Sequence, residues 1–589
     1  EAEEGMEEEG CLTKVTCGAN RRLHISWGAG NELHLCDIAP TGVPASSRRK
    51  DEGSNLTVVK WGWQSGSERR VCYDCLEPWI EIQKQRTNGL AGEGNWWASV
   101  LEYSERVSQV LGRQDDLRVP REVPANEEDM WIAVRRIVWE LLEIFYVRPS
   151  ASLSAQIQDF LGWLQRNSQV VIGLDRKHAS DVIPLETMLR GIYECELPEE
   201  EEQYWASVEL LVLLGFNEAA IDLLGIHSAW TRWQNRDTAV RAQFEILESL
   251  ITILQKMPRL AGSNSASLGV KVFNNVSDYN LYKSKWSLAC RQLLQNEVLW
   301  QECSESSART AKGAKTVLNG LLGQETALRD GTRAWSELLC AQLLHRYPTI
   351  ESLSELSSLT EYCMERCSKD SEVIVDILLA ILNDNVQEVI SLSSQTLGPW
   401  FMAHAPELIL ARPGQRELRE VLTPIQGRQG NQFEFFVLDF AEALMTNPSM
   451  WQTVCEYLAW CPTCGETALQ TFLSHLPLTI QDDKAALLAM QIANKHGLPA
   501  VAAQISRSVG LHSWSKGQRA RALFWLRGHD DVLKVLEATG RQEQEISPGQ
   551  WEDEEECWKL LELLEDMPDS KKHAVRLKLA RSMAEHFLH

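Results

Sequence analysis

The feature that most constrains this chain is a long succession of helical stripes. From about Trp96 onward, apolar residues return every three or four positions, with prolines and glycines punctuating the run. That period lines side chains along one face of a helix. Met130–Val147 carries Trp131, Val134, Val138, Leu141, Leu142 and Phe145 in one stripe and stops before Pro149, a residue that cannot continue a helix. Tyr204–Leu214 and Glu218–Leu224, broken at Gly215, read as a helical hairpin. The same spacing predicts helices at Phe244–Met257, Ala334–Arg346, Val373–Leu382, Val386–Leu397, Phe433–Met445, Met450–Trp460, Lys484–Asn494, Leu498–Ser508 and Gln518–Arg527. Turns are short and no strand-like alternation interrupts the succession. Ala261–Val270 and Gly414–Asn431, rich in glycine or small polar residues, are expected as loops. The hairpins are unequal and keep no fixed period, so a regular tetratricopeptide-type array does not fit and an irregular α-solenoid does.

The first eighty residues obey a different rule. Arg22–Trp27 alternates Leu23, Ile25 and Trp27 with His24 and Ser26, the period of two of a half-buried strand. Gly28 to Asn31 supply a turn, since glycine enters the positive-φ region that hairpins need. Leu33 and Leu35 then resume the alternation against Glu32 and His34. A loop over Pro40–Ser54 leads to a third strand at Leu56–Trp63, with Val59, Trp61 and Trp63 on one face, and a fourth short strand is expected around Arg70–Cys72. So few strands cannot stand alone in water. This meander must pack against something else.

Composition excludes several classes of function. A hydrophobic fraction of 44% over 589 residues sustains a buried core along most of the length. The net charge of −24 argues against sequence-independent nucleic-acid binding and against a polybasic membrane anchor, both of which rest on basic surface. Part of that charge lies in Glu1–Glu9 and Glu199–Glu202, blocks that solvate readily. No stretch offers the roughly 18–20 uninterrupted apolar residues of a membrane helix; Val208–Ile226 is broken by Glu209, Glu218 and Asp222. The acidic N-terminus lacks the apolar segment of a secretory signal. An odd 15 cysteines, scattered, fit reduced thiols of the cytosol or nucleus, and there the sequons at Asn55 and Asn275 stay unmodified.

Motifs that could carry chemistry each meet a plainer reading. Cys461-Pro-Thr-Cys464 has the form of a redox pair, but that chemistry needs the motif after a central strand at a helix start. Here it follows a helix and reads as an interhelical turn. Cys72-Tyr-Asp-Cys75 is half a zinc site without a second half, and Cys363 and Cys367 share a helix with no histidine at ligand spacing. Gly313-Ala-Lys-Thr316 lacks the upstream glycine of a phosphate loop. No pattern brings together a nucleophile, a base and an orienting group. The chain therefore reads as non-enzymatic, with no cofactor and no metal, and a redox or metal enzyme built on the CxxC pairs is the alternative. Most of the 22 tryptophans, including Trp131, Trp139, Trp205, Trp335, Trp451 and Trp525, sit on apolar helical faces and are expected in the core. There is no Phe-Gly dipeptide.

A β-meander that needs a partner, joined to an irregular helical solenoid, resembles the scaffold nucleoporins of the Y-complex, and within them the nucleoporin-eighty-five family. Ile25-Ser-Trp27-Gly28-Ala-Gly30, followed by Leu33-His-Leu35-Cys36, is similar to that family's N-terminal blade. Trp139 to Phe145, Tyr204-Trp205 with Leu210 to Gly215, Pro399 to His404, and Leu438 to Tyr457 with Asn447 to Trp451 resemble its helices. Tyr457 to Pro462, Leu476 to Leu478 and Arg521 to Trp525 continue the likeness in order. The region after Gly540 is shorter and more acidic than the family's tail, and neither the acidic opening run nor the Arg48-Arg-Lys50 loop is a family feature.

The resemblance implies a structural subunit of the nuclear pore outer ring, folded as a coat-type trunk and crown. Without Phe-Gly repeats, it would support transport, including mRNA export, without forming the barrier. A vesicle-coat or lysosome-associated coat subunit of the same ancestry is the alternative. The expected division is an acidic tail over 1–16, the meander over 17–80 and a linker with the first helix over 81–129. The solenoid would run over 130–540 and an acidic helical tail over 541–589. The meander would insert as a blade into an open WD-repeat β-propeller of the Seh-one type, with Leu23, Ile25, Trp27, Leu33, Leu35, Val59 and Trp61 against the neighbouring blades. The C-terminal helices, Gln518 to about Leu564, would reach the hub nucleoporins. Neither direct nucleic-acid contact nor membrane insertion is expected.

Overall fold

The computed structural model describes three strands between residues 22 and 60 and, with short breaks, residues 66–526. The chain divides into two compact units, residues 62–422 and residues 1–61 together with 423–589. The described residues are mainly helical, and consecutive helices pack on one another, as in an α-solenoid.

Strand β1 (Arg22–Trp27) pairs antiparallel with β2 (Glu32–Ile38), which pairs antiparallel with β3 (Leu56–Lys60). Helices then begin earlier than the stripe reading placed them. Gly66–Asp74 and Leu76–Thr87 are helical, so the strand expected around Arg70–Cys72 does not form. Glu68, Val71, Cys72 and Cys75 are all buried, at the i, i+3, i+4, i+7 spacing of one helical face. The stretch 81–129, expected as linker and first helix, holds the end of Leu76–Thr87 and all of Trp96–Val110. Short strands also interrupt the helical run. β4 (Pro258–Leu260) pairs parallel with β5 (Lys271–Phe273), and β6 (Leu422–Ile425) pairs with β7 (Arg428–Asn431) inside a stretch read as loop.

The unit of residues 62–422 doubles back on itself. Helices Leu76–Thr87, Trp96–Val110, Glu127–Leu142, Leu153–Leu174, Glu202–Leu213, Arg241–Gln255 and Val276–Leu294 form an outgoing arm. After Glu297–Ser306 the chain reverses. Ala308–Leu321 packs on Glu202–Leu213, Trp335–Ala341 on Leu153–Leu174, Val373–Leu382 on Glu127–Leu142, and Pro406–Ile409 on Trp96–Val110. Where Ala308–Leu321 meets Glu202–Leu213 the helices touch backbone to side chain: a Cβ added at Gly313 would stand 2.1 Å from the Trp205 ring. Only glycine allows that approach.

Tryptophans fill the space between helices, and several find acceptors for their N–H groups, although the Trp205 and Trp400 indole nitrogens have none. Trp139 donates to Ser104 Oγ at 3.0 Å, Trp163 to the Ile137 carbonyl at 3.1 Å and Trp79 to the Ala403 carbonyl at 3.2 Å. Of the six read as core, Trp139, Trp335 and Trp525 are buried, while Trp131, Trp205 and Trp451 are half-buried.

Helix ends are closed by side chains from other elements, since a helix leaves its last carbonyls without partners. Gly215, at φ +80°, ends Glu202–Leu213. Gln165 donates to the Leu214 carbonyl at 2.8 Å and Arg259 to that of Gly215. Two helices end in wider π turns, Glu143–Val147 and Gln342–Arg346. Carbonyls in them accept from Gln156 Nε2 (3.1 Å, at Ile144) and Lys283 Nζ (2.9 Å, at His345). Burial brings the Lys283 ammonium down to about 8.

In the other unit, Gln432–Met445, Trp451–Ala459 and Gly465–His475 pack in sequence, with Phe440 edge-on to Tyr457 at 4.9 Å. Asp483–Lys495, Pro499–Ser515 and Arg519–Leu526 follow as a bundle. Asp483, in the first turn of its helix, accepts from Arg521 Nε at 2.8 Å and Trp525 Nε1 at 3.0 Å, closing the bundle at a helix end that favours negative charge.

Candidate partner-binding surface

The register of the N-terminal sheet fixes which positions stand opposite one another. Ile25 is opposite Leu35, and Trp27, Leu33 and Val59 form one row across all three strands. Leu23 is opposite Asp37. The strand order β1-β2-β3 leaves β1 and β3 as the edges of this sheet, the positions where a further strand could be added. β3 ends at Lys60, short of the Leu56–Trp63 read from the sequence, and Trp61 lies outside the described residues.

The CxxC thiols singled out in the sequence lie among packed helices. Cys461 and Cys464 are both buried. Burial, then the Glu434 carboxylate and the Cys464 sulfur, push the Cys461 thiol far up, the opposite of the lowered pKa a reactive thiolate needs. Glu434 accepts the backbone N–H groups of Thr463 (2.8 Å) and Cys464 (2.6 Å), so the CxxC turn is a helix start capped by a buried carboxylate. Cys72, Cys75 and Cys363 are buried and likewise raised, chiefly by desolvation. Gly313 to Thr316 lie inside the helix Ala308–Leu321, where the glycine serves the contact with Trp205.

The family model described as Nup85 Nucleoporin matches residues 63–538. The chain belongs to the Nup85 nucleoporin family. A nuclear pore complex protein NUP85 of Arabidopsis thaliana is 24% identical over 570 residues, covering 90% of this chain and 76% of its own. The Nup85 proteins of Xenopus tropicalis and Homo sapiens are 24% and 23% identical over 413 and 416 residues. Those two alignments cover 69% of this chain, and 56% and 55% of the relatives, so the chain spans little more than half of the length of these vertebrate proteins. The family match starts at residue 63 and leaves the three strands outside it.

Proposed function

We propose that this chain is a structural, non-enzymatic subunit of the nuclear pore complex, in the outer ring formed by the Y-complex. There it would support nucleocytoplasmic transport, including mRNA export. Its N-terminal strands would complete an open β-propeller of the Seh-one type, and its C-terminal helices would reach the hub nucleoporins. Family membership supports the nuclear pore assignment. The observation that supports blade insertion is the sheet register. It sets Ile25 against Leu35 and aligns Trp27, Leu33 and Val59, so the apolar positions stand in common rows. A three-stranded ribbon with two open edges and one apolar face is unstable in water. A propeller lacking a blade has the complementary defect, and strand addition relieves both through main-chain hydrogen bonds. Leu23, Ile25, Trp27, Leu33, Leu35, Val59 and Trp61 are the residues proposed to face the neighbouring blades.

Removing residues 17–63 from the full chain tests this. The helical body keeps its melting temperature while affinity for the purified propeller falls at least a hundredfold. Unchanged propeller affinity refutes the insertion, and unchanged nuclear-rim localisation of a chain lacking residues 63–538 refutes the scaffold assignment.

A further inference from the structure

At the far end of the outgoing arm, the helix Val276–Leu294 buries only Tyr279, Trp286 and Cys290 of its nineteen residues. It packs on Arg241–Gln255, Ala308–Leu321 and the β4–β5 pair. On its outer side Leu281 is 59% and Leu288 is 53% exposed. These leucines lie one heptad apart and therefore on one stripe. Val298, at the start of the next helix, is 69% exposed. The end of a helical stack is ordinarily capped by a polar face, because nothing further stacks on it. This end carries leucines instead.

Charge says what would cover them. The chain as a whole carries −24, yet the helix holds three basic residues, Lys283, Lys285 and Arg291, against one acidic residue, Asp278. Lys283 is occupied at the His345 carbonyl. Lys285 and Arg291 are exposed and have no carboxylate partner among the described residues. Lys285 stands between the two leucines, four residues after the first and three before the second, so charge and stripe share one face. A second copy of this chain would set these cations against their own kind in a symmetric pairing. A helix with acidic flanks meets both features at once.

We propose that the outer face of Val276–Leu294 is a docking surface for an acidic, leucine-bearing amphipathic helix of a different polypeptide. Its stripe seats on Leu281 and Leu288, and its carboxylates meet Lys285 and Arg291. This surface is independent of the N-terminal strands, so its failure leaves the propeller reading untouched.

The test places the photo-crosslinker p-benzoylphenylalanine at Ser284 of the full chain in cells and maps the crosslinked peptide by mass spectrometry. Ser284 is exposed on the same helix, so the substitution leaves the core alone. The expected product joins residue 284 to a leucine-containing segment of net negative charge in another protein. Its yield falls at least tenfold in L281D/L288D and in K285E/R291E, while the melting temperature of both variants stays that of the parent. A crosslink to a second copy of this chain, a crosslink to a neutral or basic segment, no crosslink, or equal yield in the variants each overturns the proposal. Sedimentation of the purified chain identifies the second-copy outcome independently.

Discussion

Glu407 is where the returning arm is locked onto the outgoing one, and its removal should open the doubled-back fold locally. Its carboxylate is 4% exposed. It accepts from Gln83 Nε2 at 2.9 Å and from Arg86 Nη1 at 2.9 Å, residues more than 320 positions away in sequence. Breaking a buried ion pair from one side costs about 3–5 kcal/mol when the other charge is stranded. Arg86 is 31% exposed and can turn to water, which leaves Gln83 as the group without a partner. About 2–3 kcal/mol follows for Glu407→Ala, a charged hydrogen bond plus the desolvation of what remains. Glu407→Gln keeps an acceptor for both donors and loses only the charge, at about 1 kcal/mol. Hydrogen exchange separates local from global opening. In the alanine variant, amides of 398–409 and 76–87 should exchange about 30- to 150-fold faster, the factor that 2–3 kcal/mol represents. The contacts of Trp79 with the Ala403 carbonyl and of Tyr103 Oη with His404 Nδ1 should limit the spread of that opening. Exchange unchanged in both segments, with stability within about 0.5 kcal/mol of the parent, would refute the lock.

Three further outcomes can be checked with purified variants. Gly215→Ala forces a side chain to φ +80° with neighbours at 2.7 and 2.8 Å, so chemical denaturation should show a loss of about 2–4 kcal/mol. Glu209 is raised to about 7 by burial and by Asp330, and its Oε1 has no hydrogen-bond partner. Its penalty is therefore absent below pH 4.5, grows as pH rises to about 7 and then holds. Glu209→Gln should stabilise by about 1–2 kcal/mol at pH 8 and by nothing measurable at pH 4, in paired melts at the two pH values. Replacing Cys461 and Cys464 by serine should leave nuclear pore function intact in a complementation assay, because both thiols are buried at a capped helix start.

Helices were legible where burial is apolar and hidden where it is polar. Val373–Leu382 has the bounds its stripe predicts, and Phe433–Met445 begins one residue early at Gln432. Leu153–Leu174, 22 residues long, was not among the helices read, although Ile157, Phe160, Leu161 and Leu164 in its first half keep the helical period. In its second half Gln165, Asn167, Ser168 and Gln169 sit in the core and blur the stripe. Three of them are there for partners remote in sequence: Gln165 serves the Leu214 carbonyl, Asn167 the Glu140 carboxylate and Gln169 the Glu337 carboxylate. The misread strand at Arg70–Cys72 has a similar cause, because buried Glu68 looked like surface. β4 and β5 are three residues each, too short for a period of two to register. On the candidate surface, the alternation of Arg22–Trp27 was visible, whereas pairing depends on β3, eighteen residues beyond the end of β2, and no local pattern encodes that register.

The same buried polar groups explain how two arms built from unequal helices hold one alignment. Apolar stripes alone would let one arm slip along the other by a turn at modest cost, since leucine packs on leucine in either position. Polar bonds between the arms forbid it. Gln169 meets Glu337 at 2.9 Å, Tyr103 meets His404 at 2.8 Å and Gln83 meets Glu407 at 2.9 Å. At the far end, Gly313 admits the Trp205 ring at a spacing no other residue allows. A slip of one turn would strand three buried polar pairs together, each at about 1–3 kcal/mol, and drive a side chain into an indole. Neither penalty can be relieved without the other, because both arms are helices of fixed pitch. The alignment is thus specified by a few polar bonds and one glycine, while the tryptophans and aliphatic residues supply the bulk of the burial.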